Sequence, residues 1–206
     1  LGYNSTISAP HIHSLGLRVM YLGLKDRLNV KILDVGSGSG YMSFCLAQLF
    51  KDQSSSVIGI DHINELVEKS RQTGEIGDGF QGFAEEGPFD GIYVGAAVEQ
   101  VPQKLIEQLK GGGILVVAIG PAGGRHLLTC YRKDDSGQNY QQQPVEVVRM
   151  VPLCKENEQR SGEIQKLHGP PRNTSIGFGK SVVVQPYIVR SPDQQGFKLE
   201  WEENRK

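Results

Sequence analysis

The sequence predicts an α/β fold: a doubly wound, mainly parallel sheet that has an antiparallel end. The first sign is a short apolar strand that runs through a glycine-rich turn into an amphipathic helix, over residues 31–50. Two further apolar segments, 56–60 and 89–95, are each followed by a helical pattern. The last sign is a polar loop that joins the strand-like segments 127–131 and 145–151, which suits a hairpin better than a helical crossover.

The remaining elements follow from local apolar periodicity and from glycine and proline positions. We expect helices over 15–24, 41–50, 63–70 and 101–109, a fifth strand over 114–119 after Gly111–Gly113, a loop over 155–175, and an edge strand over 181–189 that contains Pro186. A third strand is harder to find, because only seven residues, 71–77, separate the helix over 63–70 from Asp78. We therefore expect either that the sheet lacks this edge strand or that residues are missing from the sequence there.

Composition limits the classes of function. The formal net charge of −1 argues against a nucleic acid or a membrane surface as a partner held by bulk charge. No apolar run approaches the ~20 residues of a membrane span, and no leader resembles a signal peptide. The three cysteines, Cys45, Cys130 and Cys154, are scattered and lack any metal-binding spacing, so we expect reduced thiols in the cytoplasm and no metal.

The turn after the first strand has the spacing G-x-G-x-G, at Gly36, Gly38 and Gly40, with Asp34 two residues before it. Backbone N–H groups at such a turn can approach a ligand closely, because no Cβ blocks the way. A dinucleotide-binding turn would place its third glycine at the position of Tyr41. The spacing instead resembles the cofactor loop of S-adenosylmethionine-dependent methyltransferases, and a glycine-rich turn without a ligand stays open as the alternative.

The second strand ends in an acid, Asp61. A carboxylate at this point can accept hydrogen bonds from the two adjacent hydroxyls of a ribose. The same carboxylate could instead cap the helix that follows. The register with the glycine turn favours the ribose, and both interpretations remain open at this stage.

Several blocks, taken together and in order over residues 2–159, resemble the protein-L-isoaspartate (D-aspartate) O-methyltransferase family. They are TISAPHIH (6–13), LDVGSGSGY (33–41), GIDH (59–62), GDG (77–79), VGAA (94–97) and GPAGG (120–124). We therefore expect a methyltransferase domain over 1–159, with the family's N-terminal segment and third strand missing, and a C-terminal extension of unknown role over 160–206. The implied fold is a Rossmann-like S-adenosylmethionine-dependent methyltransferase sheet.

The resemblance implies methyl transfer from S-adenosylmethionine to the α-carboxylate of L-isoaspartyl residues in damaged proteins or peptides, by a cytoplasmic monomer. It makes Ser8 the active-site residue. It also implies the residues around the cofactor. These are Ser5, Thr6, Ile7, Ser8 and His13, which line the cofactor site, Asp34, Gly36, Ser37 and Gly38 at the methionine end, Asp61 and His62 at the ribose and the adenine edge, Asp78 and Gly79 at the adenine, and the late positions Cys154 and Gln159. Cys154 stands where the family usually has threonine, which weakens one hydrogen bond at most.

The chemistry of this residue set is consistent with that reaction. A carboxylate with an ordinary pKa near ~4 is already ionised at neutral pH, so no general base is required. Ser8 would then orient the substrate carboxylate as a hydroxyl donor, although it could also stabilise the turn before Pro10. Similarly, His11 and His13 could be ordinary loop histidines.

Two other functions compete with this interpretation. One is a scaffold that holds the cofactor without turnover, motivated by the missing segments and the unfamiliar tail. The other is a nicotinamide-dependent oxidoreductase, which Tyr41 in place of glycine disfavours.

Overall fold

The computed structural model of the protein describes residues 1–51, 54–70 and 74–162. The strands are β1 (Lys31–Val35), β2 (Ser56–Asp61), β3 (Gly74–Ile76), β4 (Phe89–Val98), β5 (Leu109–Ile119), β6 (His126–Lys133) and β7 (Tyr140–Val148). The helices are α1 (Pro10–Leu24), α2 (Tyr41–Leu49), α3 (Asn64–Ser70), α4 (Gln103–Glu107) and α5 (Glu156–Ser161). None of the helices in these ranges is both long and apolar enough to cross a membrane.

The strands form one sheet in the order β3-β2-β1-β4-β5-β6-β7. The strands β3, β2, β1, β4 and β5 run parallel to one another. The pairs β5–β6 and β6–β7 are antiparallel. The predicted doubly wound sheet with an antiparallel end is therefore confirmed. Chain order reverses between β1 and β4, and in open parallel sheets such a reversal opens a crevice at the carboxyl ends of the strands.

Alternating side chains build a separate core on each face of this sheet. Ile32 packs on the face that α1 and α2 cover, whereas its neighbour Leu33 packs on the face that α4 covers. Val116 and Val117 of β5 divide between the two cores in the same way. All four of these side chains are fully buried, as expected for central strands that are covered on both sides.

The expectation that the third strand is missing is wrong. Gly74–Ile76 pairs parallel with β2, with Gly74 opposite Gly59 and Ile76 opposite Asp61. Three residues bounded by glycines are too short to show a strand pattern in sequence.

Two further boundaries differ from the sequence prediction. Helix α1 begins at Pro10 instead of residue 15, because proline is accepted in the first turn, where its missing N–H has no helical partner. Helix α5 occupies part of the loop expected over 155–175. The rest of that loop, the strand expected over 181–189 and the tail lie outside the described residues.

The amino ends of the central strands are joined by a buried carboxylate, Asp90 of β4. Its Oδ1 accepts a hydrogen bond from Arg27 Nη1 at 3.0 Å, and its Oδ2 accepts from Lys110 Nζ at 2.6 Å and from the Lys31 amide at 2.9 Å. Burial alone would raise the pKa of Asp90, but these three donors hold the pKa below its usual range. Asp90 thus ties β1, β4 and β5 together at the edge opposite the crevice.

Candidate active site

The glycine turn between β1 and α2 folds back over the end of β2. The amides of Gly36 and Ser37 donate to the carbonyl of Ile60 at 2.9 and 3.0 Å. Gly36, Gly38 and Gly40 have φ angles of +76°, +53° and +77°, a region that costs residues with a Cβ roughly 1–2 kcal/mol. A Cβ added at Gly36 would meet nothing within 4 Å, so this part of the turn faces open space.

Asp34 lies beneath the turn and is 1% exposed. Its Oδ2 accepts a hydrogen bond from Ser43 Oγ at 2.5 Å. Burial raises the pKa of Asp34 to about 6, with a further increase from the nearby charge of Asp61, while the Ser43 hydroxyl acts in the opposite direction. Residues 1–51, 54–70 and 74–162 therefore place a carboxylate directly under the turn and supply no cationic partner for it.

Asp61 holds the turn from the side. Its Oδ2 accepts from the Gly38 amide at 3.0 Å, and its Oδ1 accepts from the Ile63 amide at 2.9 Å, at the start of α3. The capping contact considered from the sequence is thus present. Each carboxylate oxygen can accept a second hydrogen bond, so the cap leaves the ribose interpretation open. Across the described ranges, neither Asp34 nor Asp61 takes part in an ion pair.

A cavity of about 480 Å³ opens in front of the turn, and we call it the loop cavity. Nine of the predicted site residues line it: Ser5, Thr6, Gly36, Gly38, Asp61, His62, Gly79, Cys154 and Gln159. Asp78 is not among the lining residues; it is exposed, and its Oδ1 accepts from the Phe80 amide at 3.0 Å in a local turn. The structure therefore brings together residues that are up to 154 positions apart in the chain, but it does not place the Asp78 side chain with them.

Gln159 of α5 closes one side of the loop cavity. Its Oε1 lies 2.6 Å from His62 Nε2, and its Nε2 donates to Ser5 Oγ at 2.7 Å and to the Tyr3 carbonyl at 3.2 Å. The side-chain amide of Asn4 donates to the Gln159 carbonyl at 2.8 Å. One glutamine thus joins the N-terminal segment, the end of β2 and α5.

Arg160 and Cys154 also help to close this side of the loop cavity. Arg160 donates to both carboxylate oxygens of Glu65 in α3, at 3.1 and 2.8 Å. The Cys154 thiol donates a weak hydrogen bond to Gln159 Oε1, with an S···O distance of 3.8 Å. Burial, with the charges of Glu158 and Asp61, raises the pKa of Cys154 to about 11, so the thiol stays neutral and can donate.

The segment Thr6–Ser8 separates two further spaces. The inner cavity, about 40 Å³, lies beside the glycine turn, and the outer groove, about 700 Å³, lies towards solvent. Ile7 and Ser8 line both spaces, and Thr6 lines these two and the loop cavity. Within the described residues the Ser8 hydroxyl makes no hydrogen bond, so the alternative role of stabilising the turn before Pro10 has no contact to support it.

His13 lines the inner cavity together with Ser8, Asp34 and Ser37. Both of its ring nitrogens are buried and lack a hydrogen-bond partner in the described ranges. Its ring packs edge-on against Tyr41, with centroids 4.9 Å apart. Burial lowers the pKa of His13, and the nearby backbone of Ser8 offsets only part of this. A neutral ring with a free donor and a free acceptor is suited to a polar ligand in this cavity.

Sequence reasoning missed the residues that form the far wall of the outer groove. They come from the GPAGG turn after β5 and from the segment after β7, and they include Arg125, Arg149 and Met150. His126 fixes these two pieces together, because its Nδ1 accepts from the Met150 amide and its Nε2 donates to the Pro121 carbonyl, both at 3.1 Å. The GPAGG block was the only signal of this wall in the sequence.

The donor set suits an organic cofactor with a nucleoside. The loop cavity offers an open glycine turn and a carboxylate at the end of β2, and the inner cavity offers the unpaired nitrogens of His13. No group of three or more His, Cys, Asp or Glu residues able to hold a metal ion occurs in the part of the chain that the structure describes. A glycine turn at the point where chain order reverses, an acid after β2 and an antiparallel end to the sheet together define a Rossmann-like methyltransferase.

Comparison with known proteins identifies the family. The chain belongs to the protein-L-isoaspartate (D-aspartate) O-methyltransferase family, whose model matches residues 1–158. Protein-L-isoaspartate O-methyltransferase 1 of Arabidopsis thaliana is 37% identical over 179 residues, covering 79% of this chain and 75% of the relative. The Caenorhabditis elegans enzyme of the same name is 37% identical over 174 residues, covering 77% and 75%.

A solved structure agrees with this assignment. A Plasmodium falciparum protein described as a protein-L-isoaspartate O-methyltransferase, crystallised with S-adenosyl-L-homocysteine, superposes with a TM-score of 0.62 at 28% identity. The superposition covers 75% of this chain and 78% of that one. The expected family and fold class are therefore confirmed.

Proposed function

We propose that the protein transfers a methyl group from S-adenosylmethionine to the free α-carboxylate of L-isoaspartyl residues in damaged proteins and peptides, which starts their repair. The observation that carries this function is the position of Ser8, between the inner cavity beside the glycine turn and the solvent-facing outer groove. A cofactor on one side of Ser8 and a peptide on the other would meet at this residue.

The cofactor lies in the loop cavity and the inner cavity. S-adenosylmethionine, when bound, supplies a methyl group on a positively charged sulfur, and its transfer to a carboxylate oxygen leaves a neutral thioether and an ester. Asp61 and His62 would hold the ribose, Gly79 would lie against the adenine, and Asp34, Gly36, Ser37 and Gly38 would hold the methionine end. Ser5, Thr6, Ile7 and His13 close the reacting end, and Gln159 and Cys154 close the cavity. Asp78 reaches the adenine only if its exposed side chain turns inward.

The local charge supports a cationic cofactor. Asp34 and Asp61 place two carboxylates at the edge of the loop and inner cavities, and the described chain gives neither of them a cationic partner. A positive ligand would lower the cost of keeping both ionised, since an opposite charge nearby favours the charged form.

The protein's own contribution to the reaction is orientation and the exclusion of water. The substrate carboxylate is already ionised at neutral pH, so no residue has to remove a proton, and none is released. The Ser8 hydroxyl donates a hydrogen bond to one carboxylate oxygen and directs the other towards the inner cavity. Thr6–Ser8 forms the wall between the two spaces and keeps the reacting atoms from bulk water.

The test is the transfer of labelled methyl from S-adenosylmethionine to two synthetic peptides, one with L-isoaspartate and one with aspartate at the same position. We expect base-labile label on the isoaspartyl peptide alone. Cofactor binding by calorimetry without any label would instead support a scaffold that has lost turnover. Label on both peptides would contradict the selectivity.

We also propose the domain limits and the setting in which the enzyme works. Residues 1–159 form the methyltransferase domain and 160–206 an extension. The enzyme is cytoplasmic, which the unpaired state of Cys45, Cys130 and Cys154 supports. We propose that it acts as a monomer. Cell fractionation and light scattering of the purified protein test these two proposals.

A further inference from the structure

The outer groove carries a positive charge that the chain as a whole does not. Among the described residues that line it, His11, Arg125 and Arg149 are ionisable and none is Asp or Glu. The whole sequence, in contrast, has a formal net charge of −1. A groove lined by one sign of charge attracts the opposite charge more strongly than the net charge of the protein indicates.

The turn that carries Arg125 is fixed against the segment that carries Arg149. The Arg149 guanidinium donates to the carbonyl of Gly123 at 3.4 Å, and His126 joins Pro121 to Met150. Arg125 lies between these two contacts, in an exposed position of the turn. Its backbone is thus held in place while its side chain is exposed at the groove, so only the side chain has to become ordered when an anion binds.

The groove is larger than the reacting residue requires. Its volume of about 700 Å³ is within the range of ~300–1,000 Å³ that holds whole drug-sized ligands. Because Ser8 lies at its inner boundary, an isoaspartyl residue placed at Ser8 leaves most of the groove for neighbouring residues of the same peptide. Those neighbours are the groups that Arg125 can meet.

We propose that Arg125 is a specificity-determining residue that selects isoaspartyl peptides with an acidic side chain close to the reacting residue. The selection rests on the proposed function, because it needs a peptide with its isoaspartyl carboxylate at Ser8. Arg149 adds to the positive potential, and Arg125 makes the direct contact. Arg125 takes no part in the methyl transfer itself.

The experiment compares isoaspartyl peptides that differ at one flanking position. Glutamate, glutamine or lysine is placed in turn at each of the two residues on either side of isoaspartate, and kcat/KM is measured for the wild type, Arg125→Gln and Arg125→Glu. We expect the wild type to prefer glutamate over glutamine about 2- to 5-fold at one or more positions, the size of an exposed ion pair. The preference should result from a lower KM for the glutamate peptide. It should disappear near 0.5 M salt, because the Debye length there is only roughly half a nanometre.

The variants separate recognition from a structural effect. Arg125→Gln should abolish the preference and leave kcat on the glutamine peptide unchanged, and Arg125→Glu should invert it in favour of lysine. Lys51→Gln, which removes one exposed positive charge outside the groove, serves as the matched control and should keep the wild-type preference.

The outcomes of the experiment are distinct. Equal methylation of all the peptides by the wild type, or a preference that survives Arg125→Gln, would overturn the role of Arg125 and leave the proposed function intact. A complete absence of methylation on every isoaspartyl peptide would overturn the proposed function, and the selection would fall with it.

Discussion

Buried carboxylates at the two edges of the parallel sheet have opposite surroundings. At the amino ends, Asp90 is held by two cationic side chains and one backbone amide. At the carboxyl ends, the donors to Asp34 and Asp61 in the described ranges are a hydroxyl and backbone amides. The pKa of Asp90 is lowered as a result, whereas burial raises the pKa of Asp34.

This difference indicates that Asp90 contributes to the stability of the fold, whereas Asp34 and Asp61 contribute to ligand binding. The charge of Asp90 is neutralised within the chain, so this carboxylate strengthens the fold when it is ionised. No cationic side chain in the described part of the chain pairs with Asp34 or Asp61, and both residues border the proposed cofactor site. One residue type therefore serves the fold at one edge of the sheet and the ligand at the other.

The largest expected effect is the loss of the Asp90 cluster. Asp90→Asn leaves Arg27 and Lys110 without their carboxylate, and we expect it to lower the free energy of unfolding by about 3–4 kcal/mol at pH 7. Because the folded pKa of Asp90 is below its ordinary value of 3.8, the stabilisation is present above that pH and is lost as the pH falls through the folded pKa. Urea unfolding measures the loss. A variant as stable as the wild type would show that the cluster does not stabilise the fold.

Asp34→Asn should show a pH dependence of the opposite sign. Between its ordinary pKa of 3.8 and its folded pKa of about 6, the folded protein holds a proton that the unfolded chain has released. Wild-type stability therefore falls as the pH rises through this window, by roughly 3 kcal/mol from this group alone. The unfolding free energy of the variant relative to the wild type should then increase from pH 4 to pH 7. A flat difference would mean that Asp34 has an ordinary pKa.

Asp61→Ala tests the binding edge directly. The variant loses the acceptor for Gly38 and the proposed contact with the ribose, so we expect the Kd for S-adenosylmethionine to rise about 10- to 100-fold. Calorimetry measures it, with Asp90→Asn as a control that should bind the cofactor normally wherever it is folded. An equal rise of this Kd in Asp61→Ala and Asp90→Asn would contradict the assignment of binding to the carboxyl ends of the strands and of stability to the amino ends.

Ser8→Ala should have the smallest effect of the four on free energy. Loss of one hydroxyl donor to an ionised carboxylate should lower kcat/KM about tenfold, without changing the Kd for the cofactor. Ser8→Thr, which keeps the hydroxyl, is the matched control and should retain most of the activity. A loss of cofactor affinity in Ser8→Ala as large as that in Asp61→Ala would contradict the separate roles of these residues.

The sequence was sufficient for the elements that carry long apolar patterns or glycine signals. β1 and its glycine turn were recognised from Ile32, Leu33 and the spacing of the glycines, and β4 from its own apolar segment, 89–95. β3 was missed because three residues are too short for any periodicity, and α5 was missed because none of its residues is buried. Local apolar pattern thus predicts the elements that contribute buried side chains to the core. It fails for an element that is very short or that, like α5, has no buried residue.

The glycine turn and Asp61 were predictable from local pattern, but the other residues of the candidate site were predictable only where a family motif named them. The contacts of Gln159 with Tyr3, Ser5 and His62 join three distant parts of the chain, and no local pattern contains that information. The basic groove was missed for the same reason, because Arg125 and Arg149 come together only through the antiparallel pairing of β6 with β7. Contacts between residues that are distant in the sequence leave no periodic pattern in it.

The position of Gln159 also sets how far the protein can be shortened. Among the described residues, the last strand of the sheet ends at Val148, and the last contact that adds to the sheet is the bridge between Ala97 and Pro152. The wall of the loop cavity is complete only when α5 follows, with Gln159 against His62. A truncation before α5 would therefore preserve the sheet and remove the closure, so folding and cofactor retention have different C-terminal boundaries.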